Sequence, residues 1–226
     1  MRSITHAHRA AAVLAVVVAL SAGVAGTAQA AKGGKGGKPG SGTTTPVITT
    51  TTSPSTIFTI NNDVCPAVSE YVSCGSLSVS VGDYGMTGWT ASSSPANGTI
   101  TYNSSYSLSS SGWAQTVSHE IGGHHDAWRE IVAKVGATQA WTDYYDLDYF
   151  GELWAEGRYK AVKGTTRDFS RAEGKETYLD CAGPVAHGYS GNYLSMWGIA
   201  AGTAQSTFCQ GAATVMSDSL TKVRPS

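Results

Sequence analysis

Two adjacent glycines, Gly122 and Gly123, interrupt a segment that otherwise reads as one long amphipathic helix from near Ser111 towards Val135. No other feature limits the fold as strongly. On an ideal helix each residue advances about 100°, so Trp113, Val117, Ile121, Trp128, Ile131, Val132 and Val135 fall within roughly one 100° stripe. Each glycine weakens such a helix by about 1 kcal/mol relative to alanine. Around the pair stand His119, Glu120, His124, His125 and Asp126. His119 and His124 are five positions apart, and a straight helix separates them by about 140°. A π-bulge inserts one residue into a helix and brings the second histidine back under the first. The expectation is a helix distorted at the glycines, its halves packed on different partners and its two histidines sharing one metal ion.

The rest of the chain sets the context. Residues 1–30 read as a secretory signal: Arg2 and Arg9 form a positive start, Ala10 to Leu20 a short apolar run, and Ala28-Gln29-Ala30 a small-x-small cleavage site. That run is too short to span a bilayer, so no stable membrane insertion is expected. Residues 31–56, almost wholly Lys, Gly, Ser, Thr and Pro, read as a flexible linker. Residues 57–226 remain as one domain, large enough to bury a core. Of the chain's 15 basic and 16 acidic residues, Arg2, Arg9, Lys32, Lys35 and Lys38 precede the domain, which leaves 10 basic against 16 acidic, a net of −6. That balance argues against a nucleic-acid partner, which calls for a basic surface.

The domain reads as α+β. Strands are expected at Thr56 to Asn61, Leu77 to Val81 and Thr99 to Asn103, from β-branched residues and alternation. A helix is expected from about Asp146 to Val162, stopped at Gly164. The region from Thr165 onward is glycine-rich, with a short helix near Gly211 to Leu220. Four cysteines, at 65, 74, 181 and 209, suggest two disulfides in an exported chain. Three pairings are open. The simplest joins Cys65 to Cys74 and Cys181 to Cys209, each closing a local loop.

A second constellation follows in Glu152-Leu153-Trp154-Ala155-Glu156, a glutamate pair one helical turn apart. Zinc sites with two histidines and one glutamate take their third ligand from such a downstream helix. The acid one turn on can then orient a ligand histidine. Glu152 suits the first task and Glu156 the second.

His-Glu-Ile-Gly-Gly-His followed by Glu-Leu-Trp-Ala-Glu resembles the gluzincin branch of the zinc metallopeptidases, above all the lethal-factor-like peptidases and small secreted bacterial zincins. It departs from the His-Glu-x-x-His pattern by one inserted residue. The resemblance covers roughly Thr99 to Val162. It implies a zincin-like fold with a small twisted N-terminal sheet, an active-site helix, a second ligand-bearing helix and a Gly-rich C-terminal part. It further implies Zn2+ held by His119, His124 and Glu152, with Glu120 as general base and Tyr145 as oxyanion donor. His125 reads as pointing away from the metal. His187, in a glycine-rich loop, reads as a surface or satisfied core histidine.

The expected activity is that of a secreted, extracellular zinc metalloendopeptidase acting on peptide or protein substrates. Thr99 to Asn103 is the strand expected to pair with extended substrate. Two other classes remain open: a zincin fold that has lost its metal and binds a partner, and a secreted carbohydrate or cell-wall binding module.

Overall fold

The computed structural model describes residues 52–221. The expected signal segment (1–30) and residues 31–51 of the expected linker (31–56) lie outside the described residues. The fold is mixed α and β and mostly helical, with one three-stranded sheet.

The first element corrects the sequence expectation. Pro54–Val68 is a helix (α1), where a strand was expected over Thr56 to Asn61. Ser53 is its N-cap, its side chain accepting from Thr56 N at 3.2 Å, and Pro54 opens the first turn. The buried positions Ile57, Asn61, Val64, Cys65 and Val68 recur at helical spacing, so the β-branched start misled. Burial of a helical stripe overrides a weak strand propensity.

The sheet contains β1 (Ser78–Gly82), β2 (Ala91–Ser94) and β3 (Thr99–Asn103). Their order is β1-β3-β2, with β1 parallel and β2 antiparallel to β3. The strands expected at Leu77 to Val81 and Thr99 to Asn103 are present. However, β3 is the central strand and not the edge expected to receive substrate; the edges are β1 and β2. Ile100 and Tyr102 of β3 are buried against the helices, and Tyr102 OH donates to Asn61 Oδ1 of α1 at 2.9 Å.

The long central helix has three parts: α2 (Ser110–Ser118), a π-helical turn (His119–His125) and α3 (Asp126–Val135). The apolar stripe divides as a distorted helix requires. Trp113, Val117 and Ile121 join the sheet and α1 in one core, while Trp128 and Ile131 join a second, helical core with Leu147, Leu179, Leu194 and Phe208. Asp126 fastens the junction: its Oδ1 accepts from the main-chain N of Glu70, Tyr71 and Val72 at 2.9, 2.6 and 2.9 Å.

The second core is closed by α4 (Ala137–Lys163), α5 (Arg171–Ala182), α6 (Asn192–Met196), α7 (Thr203–Phe208) and α8 (Ala212–Thr221). Gly164 ends α4 in the left-handed conformation, as expected of a helix stop. Trp141, on α4, is 49% exposed and belongs to neither core. Both disulfides are the local pair, Cys65–Cys74 and Cys181–Cys209. Among the described residues no helix is long and apolar enough to cross a membrane.

The helices α4 and α5 cross at two glycines. A Cβ on Gly174 would lie 2.2 Å from Glu152 N, and one on Gly151 would lie 2.8 Å from the Gly174 carbonyl carbon. Gly157, also in α4, has open space around it. Gly174→Ala is therefore expected to destabilise the fold by about 3 kcal/mol or more, through main-chain overpacking. Gly157→Ala should stabilise by up to about 1 kcal/mol through helix propensity. Chemical denaturation of both variants checks the pair.

Candidate metal centre

The π-helical turn sets the geometry of the site. Its wider winding places His119 and His124 on the same side, with ring centroids 5.0 Å apart. Ligand atoms of His119, Glu120 and His124 all lie within 4.8 Å of one another, a spacing that can hold a metal ion.

Two glycines let α1 and α5 close on this turn. A Cβ on Gly122 would meet Val68 O at 2.9 Å, and one on Gly123 would meet Leu179 O at 3.0 Å. The carboxylate that arrives is Glu176. Its Oε2 is 2.9 Å from His119 Nε2 and 3.2 Å from His124 Nε2. One helical turn on, Asp180 Oδ1 accepts from His119 Nδ1 at 2.8 Å. The Nδ1 of His124 is 2.7 Å from Tyr144 OH. Both imidazoles are thus held at Nδ1 with Nε2 turned to one carboxylate oxygen. Ser93 Oγ of β2 donates to Glu120 Oε2, which ties the edge strand to the buried glutamate.

Burial and charge oppose each other here. Burial works against charging His119, but hydrogen bonds and charge from Asp180 and Glu176 outweigh it and raise its pKa well above the ordinary value. Burial likewise works to raise Glu176, yet the His124 charge and hydrogen bonds from both histidines pull it well below the carboxylate range. Tyr193 of α6 stacks on His119 at 5.6 Å between centroids. Burial first, then the charges of Glu176, Asp180 and Glu120, keep its phenol protonated far above neutrality.

The sequence-derived candidates fall into two groups. His119, Glu120 and His124 are brought together. Glu152 is not brought to them: its carboxylate lies 3.6 Å from Arg171 Nε, and Glu156 accepts from Phe169 N at 3.3 Å. Glu176 lies beside both histidines instead, on α5, whose Leu179 carbonyl Gly123 admits close to the π-helical turn. Tyr145 is 59% exposed and stacks on Trp141; its neighbour Tyr144 is the one bonded to His124. His187 is exposed. His125 turns away into the fold, bonded to the main chain of Thr99. Burial, then the His124 charge, lowers its pKa to about 4.

Glu176 and Asp180 carry the same one-turn spacing as Glu152 and Glu156, so the pattern was present twice in the sequence. The signal that marks the second copy as helical is Ser170-x-x-Glu173. It forms a capping box, with Ser170 Oγ accepting from Glu173 N and Glu173 accepting from Ser170 N.

The donor set fits a metal ion. Two imidazole nitrogens and a carboxylate oxygen are the protein ligands of catalytic zinc sites that keep one position open. Ligands about 2.0–2.1 Å from a tetrahedral ion stand about 3.4 Å apart, near the 2.9 and 3.2 Å separations from Glu176 Oε2. No family model, curated protein or solved structure matches this chain. The gluzincin resemblance is supported by the His119–Glu120–His124 cluster alone.

Asp180 has 0% exposure and also accepts from Leu194 N at 3.1 Å. Asp180→Ala strands two buried donors and is expected to lower unfolding free energy by about 2–4 kcal/mol. Asp218→Ala, at an exposed position, should change it by under about 0.5 kcal/mol. Urea titration of the two variants distinguishes these outcomes.

Proposed function

We propose that this chain is a secreted, zinc-dependent peptidase whose ligands are His119, His124 and Glu176 and whose general base is Glu120. The observation that carries this reading is the single oxygen of Glu176 facing the Nε2 atoms of both histidines, with Glu120 in the same cluster. Zinc bound there supplies Lewis acidity, which lowers the pKa of water and polarises a carbonyl.

The protein's own groups divide the remaining work. Asp180 and Tyr144 fix the two imidazoles through Nδ1, which favours Nε2 as the ligand atom. Glu120 takes a proton from the attacking water and delivers it to the leaving amine. Its buried carboxylate is held in one orientation by Ser93. We assign to Tyr193, protonated and stacked on His119, the donation of a hydrogen bond to charge that develops on the substrate oxygen; its ring stacking on a proposed ligand supports this role.

The edge strand favours a peptide over other amides. β2 has one strand neighbour, so its outer edge has main-chain groups that the sheet does not use. An extended peptide pairing there would lie beside Glu120, because Ser93 is part of β2. Two disulfides and the absence of a membrane-crossing helix among the described residues are compatible with an extracellular protein.

Metal analysis of the protein purified without chelator tests the ligand set. About one zinc per chain is expected, lost in Glu176→Ala and retained in Glu152→Ala. Glu120→Gln should keep the metal and lose about 10²–10⁴-fold in peptide cleavage. Zinc lost with Glu152→Ala and kept with Glu176→Ala would overturn the assignment.

A further inference from the structure

Asn103, fully buried at the end of β3, organises the loop that joins β1 to β2. Its Oδ1 accepts from Tyr84 N and Ser105 N, both at 3.2 Å. Its Nδ2 donates to the carbonyls of Gly85 and Trp89 at 2.9 and 3.1 Å. Two further ties complete the loop: Asp83 accepts from Gly85 N at 3.0 Å, and Gly88 N donates to Tyr106 OH at 2.7 Å.

This restrained loop presents apolar groups to solvent. Tyr84 is 47% and Met86 70% exposed, and the rings of Tyr84 and Trp89 lie 5.3 Å apart. The Tyr84 ring folds back over Gly82, where a Cβ would come within 2.8 Å of it. Exposed aromatic groups on a pre-ordered loop bind with little further loss of conformational entropy.

They adjoin β2, the strand whose Ser93 reaches Glu120. Tyr84, Trp89, Ala91, Ser92 and Thr101 line an open cavity of about 520 Å³, and none of them is charged. Neighbouring residues of a strand face opposite sides of the sheet. Ser93 faces Glu120, and Ser92 lines the cavity. A peptide strand added to β2 would send alternate side chains to the same two sides.

We propose that the Tyr84–Trp89 cavity is a specificity subsite for an aromatic or long aliphatic residue of the substrate, at a fixed position within three residues of the bond cleaved. This inference rests on the peptidase reading above and names the substrate class for it. The uncharged lining disfavours Asp, Glu, Lys and Arg at that position.

The test is digestion of a mixed peptide library by the zinc-loaded protein, with cleavage sites identified by mass spectrometry. Aromatic residues, Leu and Met should be enriched about ten-fold at one position, the discrimination that one or two buried methylenes can supply. The double variant Tyr84→Ala with Trp89→Ala should lose this enrichment while retaining its zinc. Ser92→Glu, at an exposed position, should shift the preference at that position towards Lys and Arg. Cleavage with no positional preference, or a preference unchanged in all these variants, would overturn the subsite and leave the peptidase reading intact. No cleavage of any peptide by the zinc-loaded parent would overturn both.

Discussion

The candidate site depends on main chain passing main chain at very short range. Gly122 and Gly123 leave room for the carbonyls of Val68 and Leu179, and Gly183 in turn lies so close that a Cβ on it would be 2.6 Å from Gly123 N. With any side chain at these points, α5 would stand further off, and Glu176 could not face both histidines. The same glycines permit the π-helical winding that aligns those histidines. One dipeptide therefore solves two geometric problems, and the inserted residue that departs from the His-Glu-x-x-His pattern is part of the solution.

Electrostatics then locks in what packing brings together. Asp180 is fully buried and acts in two directions, accepting from His119 and from the main chain of Leu194. Because Leu194 follows Tyr193, the carboxylate that orients an imidazole also seats the short helix whose tyrosine stacks on that imidazole. Gln205 secures the same helix from the other side, through Gly191 N and O and through Ser195 Oγ. A buried carboxylate is tolerable here because both its oxygens have hydrogen-bond partners.

How much of this was legible in the sequence depended on whether the cause was local. β1 and β3 alternate, α4 stops at a glycine, and short spacings favoured the two disulfides; each signal lies within its own segment. β2, Ala-Ser-Ser-Ser, has no apolar pattern and is a strand because β3 lies beside it. α5 is buried on several sides, at Gly174, Thr177, Tyr178, Leu179 and Asp180, so it has no single apolar stripe to betray it. Of the site, His119, Glu120 and His124 were readable because one helix bears them all. Glu176 was not, since choosing it over Glu152 required knowing which helix the two glycines admit.

The disulfides flank this arrangement on both sides. Cys65 lies in α1, one turn before the Val68 carbonyl that meets Gly122, and Cys181 directly follows Asp180. Each crosslink thus anchors one of the two backbone segments between which the π-helical turn is pressed. In a reducing environment those segments would be held by packing and hydrogen bonds without a covalent tie. Reduction would therefore loosen both segments at once, and with them the spacing of His119, Glu120 and His124.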